Sequence, residues 1–303
     1  MMSLYKVIMA VIVMLAMSGG VQANPAYQIC TAGGRQLEAT ELAELVKDYD
    51  VIVFGEYHDN AVLHKLEAEM LINAFAKQRK LAVSLEMFER DVQNQLDDYL
   101  AGKITEEEFL ANSRPWKNYR EDYRPLVQFA KNHSLPVLAA NIPRPLAAQY
   151  AKEGSLATIA DNMKVYLPKF HLTLDGAYRE KFIEYMTKSP DTGKMPGTAD
   201  KAAAYYKAQC LKDDTMAESI AQFQQAHADY KIIHFQGDFH SRYRLGVVEK
   251  LQMLNPELAI AVITPVYVEE FGDVPGLAAK YKDDGDIIIF VQQPVKKVNK
   301  QGP

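Results

Sequence analysis

Six apolar runs of strand length recur along the chain, at 51–54, 81–85, 136–140, 231–236, 258–263 and 286–292. Helical patterns separate most of them. From His64 to Lys77 the residues Leu66, Met70, Leu71, Ala74 and Phe75 recur at helical spacing, as do Leu126, Phe129 and Ala130 within 123–132. Leu245, Val248, Leu251 and Leu254 do the same within 242–254, and Thr40 reads as the N-cap of a helix reaching Lys47. Runs without polar alternation are buried on both faces, so strands that alternate with helices predict a mostly parallel sheet flanked by helices. The fold class expected is α/β.

The rhythm breaks between 144 and 226, where no strand pattern occurs. Segments 146–151, 157–167, 176–187 and 199–226 all read as helices, with the loop 189–197 between the last two. This predicts a smaller, all-helical subdomain at 144–226, inserted into an α/β domain formed by 24–143 and 227–295. A second, short insertion is expected around 91–122. The segment up to Gly34 reads as loop, and 296–303 as a flexible tail.

The N-terminus reads as an export signal over 1–23. Lys6 precedes the apolar run Val7 to Met17, and Val21-Gln22-Ala23 forms a small-residue cleavage pattern before Asn24. The run is shorter than the roughly 20 residues a bilayer-spanning helix needs. No cysteine follows it directly, so the expectation is a periplasmic or envelope-associated protein that is not a lipoprotein. Cys30 and Cys210 are the two cysteines. In an oxidising compartment they pair or remain buried thiols. The net charge of −5 gives no support for nucleic-acid binding, and no basic stripe with interleaved aromatics occurs.

Three of the apolar runs lead into polar residues suited to chemistry. The run 51–54 enters Gly55-Glu56-Tyr57-His58-Asp59, 81–85 enters Glu86, and the fourth enters Gly237-Asp238-Phe239-His240. In α/β sheets ligands gather at the carboxyl ends of strands. Glu56, His58, Glu86 and His240 are therefore candidate catalytic residues, with Asp59, Asp238 and Asn141 nearby. His58, Glu86 and His240 also suit a divalent metal. Without one, a glutamate can take a proton from water while an imidazole gives one to a leaving group. Gly55 and Gly237 would permit tight turns. The bland alternative is a structural cluster in which Asp59 or Asp238 only caps a helix. His64 sits on a helix near this group, and the remaining histidines read as packed or solvated. Trp116 reads as core or as the anchor of a lid.

Tyrosine is the second signal. The chain has 17, and 144–226 includes Tyr166, Tyr178, Tyr185, Tyr205 and Tyr206. Tyrosinate is a hard anionic ligand for ferric iron and a known axial ligand of haem. Arg179, Lys181, Lys201 and Lys207 are available for carboxylates. Taken alone, most such tyrosines are core or surface residues.

Several motifs together carry a family resemblance. They are Gly55-Glu56-Tyr57-His58-Asp59-Asn60, Leu85-Glu86-Met87-Phe88-Glu89-Arg90, Tyr123-Arg124-Pro125-Leu126 and Ala139-Ala140-Asn141-Ile142-Pro143-Arg144. Tyr206-Lys207-Ala208-Gln209, Asp213-Asp214-Thr215-Met216-Ala217 and Gly237-Asp238-Phe239-His240 complete the set. In order and spacing, over about 50–250, the chain resembles the ChaN-like haem-binding uptake family of the Tiki superfamily. The resemblance implies an exported bacterial protein that handles haem iron beside an outer-membrane haem receptor. It implies haem held between two subunits of a homodimer, with tyrosine on iron and His and Lys on propionates. That tyrosine maps to no unique position. Tyr206 and Tyr178, beside Lys207 and Arg179, are the first choices as cofactor-binding residues. The wider superfamily implies an alternative, a hydrolase working through His58, Glu86 and His240. Many uptake relatives are lipoproteins, and this chain departs from them in lacking the lipobox.

Overall fold

A computed structural model describes residues 26–188 and 198–293. The export signal over 1–23, the loop 189–197 and the tail at 296–303 fall outside the described residues. Eight strands form one sheet: β1 (Tyr27–Thr31), β2 (Gln36–Leu37), β3 (Val51–Glu56), β4 (Leu81–Glu89), β5 (Val137–Asn141), β6 (Lys231–Gly237), β7 (Ile260–Val268) and β8 (Ile287–Gln292). Their spatial order is β2-β1-β8-β7-β3-β6-β4-β5. From β8 to β5 every neighbouring pair is parallel. Among the described residues ten α-helices accompany them: α1 (Leu45–Asp48), α2 (Ala61–Lys77), α3 (Gln93–Leu100), α4 (Glu106–Ser113), α5 (Arg124–His133), α6 (Arg144–Glu153), α7 (Ala177–Lys188), α8 (Ala199–Ala226), α9 (Val247–Leu254) and α10 (Val274–Tyr281).

Period-two alternation builds a core on each face of the sheet. Ile52, Phe54, Val83, Leu85, Ile233 and Phe235 face α2 and α5. Val51, Val53, Ala82 and Ile232 face the other way, onto Met216, Ala217 and Ile220 of α8 and Val247, Val248 and Leu251 of α9. Strands covered on both sides cannot show a polar face, which is why they read as unbroken apolar runs. Between β5 and β6 the described residues are helical or irregular. The second half of α8 packs directly on the sheet.

The structure corrects several expectations. The segment before Gly34 is not loop: β1 pairs antiparallel with β8, from Tyr27 on Val291 to Thr31 on Ile287, and removes an exposed parallel edge. Thr40 lies inside a 3-10 turn, Ala39–Glu44, whose N-cap is Glu38 in a capping box with Glu41. The α2 cap is Asn60, whose side chain accepts from Val62 and Leu63 amides. The segment 157–167 forms only the 3-10 turn Asp161–Tyr166. The helix expected from 242 starts at Val247, because Tyr243 (φ 63°), Arg244 (φ 59°) and Gly246 (φ 55°) are left-handed. That bend lets Arg242 reach Asp284 (3.1 Å) and Asp238 (3.3 Å). Cys30 and Cys210 are unbonded buried thiols, packed in separate clusters. Among the described residues no helix is long and apolar enough to cross a membrane.

Candidate functional site

β3, β6 and β4 are neighbours in the sheet, so their carboxyl ends deliver His58, His240 and Glu86 to one place. All three line a single groove of about 1500 Å³. Glu86 sits where the pairing of β4 with β5 breaks register, between Leu85 and Glu89. That irregularity follows the last β4–β6 pair, Leu85 with Phe235.

His240 is buried and lies between two carboxylates. Its Nδ1 is 2.5 Å from Asp213 Oδ1, and its Nε2 is 3.3 Å from Glu86 Oε1. Burial alone pulls an imidazolium pKa down. Here Glu86 and Asp213 outweigh it and hold His240 up at about 9. Burial pushes Glu86 up, but the charge and hydrogen bond of His240, with His58 and Lys212 behind it, carry it well below the usual carboxylate range. The Gly237 amide donates to Glu86 Oε2 (2.7 Å). Tyr178 donates to Asp213 Oδ2 (2.7 Å), and the Gln209 amide contacts Tyr178 Oη (3.1 Å) and the His240 ring. Asp213, Tyr178 and Gln209 have no role in the strand-end pattern. The available signal was an acidic pair, Asp213-Asp214, midway along an otherwise ordinary helical segment.

His58 is arranged differently. Its Nδ1 is 2.5 Å from Glu56 Oε1, and its side chain is 47% exposed. Burial lowers its pKa, but the hydrogen bond and charge of Glu56 outweigh burial and raise it. Trp116 meets the ring edge-on at 4.8 Å between centroids. Neither strand-end glycine has left-handed backbone, so room and not a tight turn explains them. A Cβ on Gly237 would lie 2.8 Å from His58 Cε1, and one on Gly55 would lie 2.8 Å from Asp238 Oδ1. Asn141 supports the site from behind: it donates to the Glu86 carbonyl (3.1 Å). Asp238 is buried against Arg242, whose charge only partly offsets the burial that pushes Asp238 up to about 7. Asp59 is exposed at the groove. Of the other histidines, His234 is core, held by Ser84 and Gln236.

Tyr178 and Tyr206 do not face the groove. Both are buried, Tyr206 donates to the Leu174 carbonyl (2.6 Å), and burial raises both phenols well above their ordinary value. Lys207 points elsewhere too, its Nζ 3.8 Å from the Cβ position of Gly154 at the end of α6. A phenol buried and donating to protein is poorly placed to ligate iron as its anion. The groove instead receives Tyr205, Ala208, Gln209 and Lys212, one face of α8 at helical spacing. Arg144, Ala147, Ala148 and Ala151 of α6 and Phe182, Tyr185 and Met186 of α7 complete that wall. Arg144 is fixed by Glu89 (2.5 Å), which also binds Arg114. Tyr205 and Tyr185 are 40% and 45% exposed.

A family model described as haem-binding uptake, Tiki superfamily, ChaN matches residues 42–251. Among solved structures, ChaN of Campylobacter jejuni, described for its cofacial haem binding, is similar with a TM-score of 0.62. It is 17% identical, over 88% of this chain and 97% of that one. The erythromycin esterase EreC in its open conformation has a TM-score of 0.46 at 15% identity, over 80% of this chain and 77% of that one. A succinoglycan biosynthesis protein has a TM-score of 0.49 at 11% identity, over 83% and 89%. No curated protein matches the sequence. The family model spans well over half of the chain and takes in β3 through β6 with all the strand-end residues: the chain belongs to the ChaN family of haem-binding uptake proteins in the Tiki superfamily.

Proposed function

We propose that this chain binds haem in the groove above the strand ends, with Tyr205 as the iron ligand, and serves haem-iron uptake in the cell envelope after export. The observation that carries this reading is the groove's α8 wall. Tyr205, Ala208, Gln209 and Lys212 present a phenol, a flat apolar step and a cation along one helix face. Beside them, Ala147, Ala148 and Ala151 are too small to obstruct a broad ring. Most small-molecule pockets fall at about 300–1,000 Å³, so a groove of about 1500 Å³ suits a large, flat ligand. Aromatic and apolar walls with Lys212, Lys181 and Arg144 among them fit an apolar macrocycle that carries carboxylates. Bound haem would supply ferric iron, for which tyrosinate is a hard anionic partner. Tyr205 and Tyr185 stay half-exposed, so a second copy of the chain covering the bound ring would remove further apolar area from water. Binding the dimer more tightly than the monomer then links haem to dimerisation by mass action. An outer-membrane haem receptor is the partner such a carrier would serve.

Hemin titration of the purified protein tests this. A Soret band of ferric, mainly high-spin haem is expected, and Tyr205→Phe should abolish that signature while Tyr178→Phe and Tyr206→Phe preserve it. A wild-type spectrum and sedimentation profile identical to free hemin plus protein would remove the haem reading.

A second reading, a hydrolase, is favoured by the fixed Asp213–His240–Glu86 relay. Glu86, held ionised, would take a proton from water, and the His240 imidazolium would give one to the leaving group. Ester or amide hydrolysis lost in Glu86→Gln but kept in Tyr205→Phe would support it.

A further inference from the structure

Behind the groove lies a second polar cluster, which shares only Glu56 with it. We propose that Glu56, His64 and Glu67 form a binding site for a divalent first-row transition ion, distinct from His58, Glu86 and His240. The three residues come from two elements. Glu56 ends β3, while His64 and Glu67, three apart, share one face of α2. One imidazole nitrogen and two carboxylate oxygens lie within 4.8 Å of one another, a span that small shifts close onto one ion. His64 Nε2 is 3.5 Å from Glu56 Oε2, and its Nδ1 is 3.0 Å from Glu67 Oε2. All three side chains are buried, Glu56 at 1% and Glu67 at 0%.

Two atoms point to a ligand. Glu56 Oε2 and Glu67 Oε1 are buried without a hydrogen-bond partner. Leaving a buried carboxylate oxygen unmatched is costly, and both belong to the triad. The other oxygen of each carboxylate is spoken for: Glu56 Oε1 accepts from Tyr123 (3.0 Å) and His58, and Glu67 Oε2 from His64. The surroundings add negative charge. Asp122 Oδ2, from the π-helical turn Tyr119–Tyr123, is 3.6 Å from His64 Nε2. Three carboxylates thus gather around the His64 ring.

The donor set selects the ion. One imidazole with carboxylates suits Zn²⁺, Fe²⁺ or Mn²⁺. It offers no thiolate for a soft ion and too few oxygens for Ca²⁺, which takes about six to eight. Glu56 also lines the groove, which provides the entry path. In the metal-free arrangement the His64 Nε2–H meets the His58 carbonyl at 3.3 Å. The ion would take that proton's place, as metals do at imidazole ligands.

Co²⁺ is the probe, added to the chelator-treated full protein and followed by its visible d–d absorption. One Co²⁺ per chain is expected. His64→Gln and Glu67→Gln should each weaken binding about 10- to 100-fold or more, while His240→Gln binds as the wild type does. No Co²⁺ uptake by the wild type overturns the proposal, as does loss in His240→Gln with retention in His64→Gln. Circular dichroism checks that the buried variants fold. If they do not, NMR of Co²⁺-loaded wild type decides: the contact-shifted exchangeable imidazole N–H of one coordinated histidine supports the site, and two such signals or none refute it.

Discussion

The two G-x-x-H turns look alike in sequence and are built as opposites. At the end of β6, His240 is buried between Asp213 and Glu86, and its only freedom is to hold or release a proton. At the end of β3, His58 leans into the groove, tied through one nitrogen to Glu56 and flanked by Trp116. A helix residue, Asp213, makes the difference. It closes over His240, and among the described residues no carboxylate from α8 closes over His58. The same four-residue motif therefore yields one locked imidazole and one accessible to a ligand. Whatever enters the groove meets His58 first, with Glu86 and His240 as the charged floor.

The largest test of that contrast is removal of each ring. His240→Ala leaves Asp213 and Glu86 as buried charges without their cation, and should cost about 3–5 kcal/mol in urea unfolding. His58→Ala should cost about 1 kcal/mol, because the ring is half-exposed and Glu56 keeps Tyr123. Equal losses would erase the distinction.

Next comes pH. His240 is raised to about 9 from an ordinary 6.5, so the folded state holds this proton more tightly than the unfolded chain. Its contribution is complete below about pH 6.5 and vanishes as pH rises through about 9, a change on the order of 3 kcal/mol. His240→Gln should lack that part of the decline. His64, also raised to about 9, declines in both proteins and cancels in the comparison. Parallel stability curves for the two proteins over this window would show that the paired carboxylates do not hold the proton.

The smallest effect separates the two glycines. Gly55→Ala would press its Cβ on the Asp238 Cα and the Ile263 carbonyl, both at 3.0 Å. Backbone cannot yield, so about 1–3 kcal/mol of stability should be lost. Gly237→Ala presses on the His58 ring, which can swing into the groove, and meets Glu86 Oε2 at an ordinary 3.5 Å, so stability should change by less than about 1 kcal/mol. The His58 NMR signals should move instead. A large unfolding penalty for Gly237→Ala would mean that His58 is as rigid as His240.

The strands and the site residues were legible for one reason. Central parallel strands are mostly apolar on both faces, with a few buried polar residues such as Ser84, His234 and Gln236 bonded to one another, and clusters of ionisable side chains follow where the strand leaves the core, so His58, Glu56 and His240 announce themselves. Glu86 does so as well, although β4 continues to Glu89 past an irregularity that no run of apolar residues reveals. The edge pair β1–β8 was not legible, because its partners are more than 250 positions apart and a five-residue strand has little pattern of its own. The groove-facing tyrosine of α8 is one residue away from Tyr206, the residue named from the sequence. Tyr205 and Tyr206 are neighbours in sequence, but helical geometry turns them about 100° apart, one to the groove and one into the packing of Phe182 and Cys210. The heptad-like set Tyr205, Ala208, Gln209 and Lys212 was the pattern that separates them.

By itself, the order of residues determined the α/β class, the strands that carry chemistry and the family, because burial on both faces and strand-end polarity are local properties of the chain. Tertiary structure alone decided that β3, β6 and β4 stand side by side, that Asp213 closes over His240, and that Glu56 shares its two oxygens between His58 and the His64–Glu67 pair. Strand order, helix rotation and the meeting of distant carboxylates depend on how the whole core packs, and no local stretch of sequence records that.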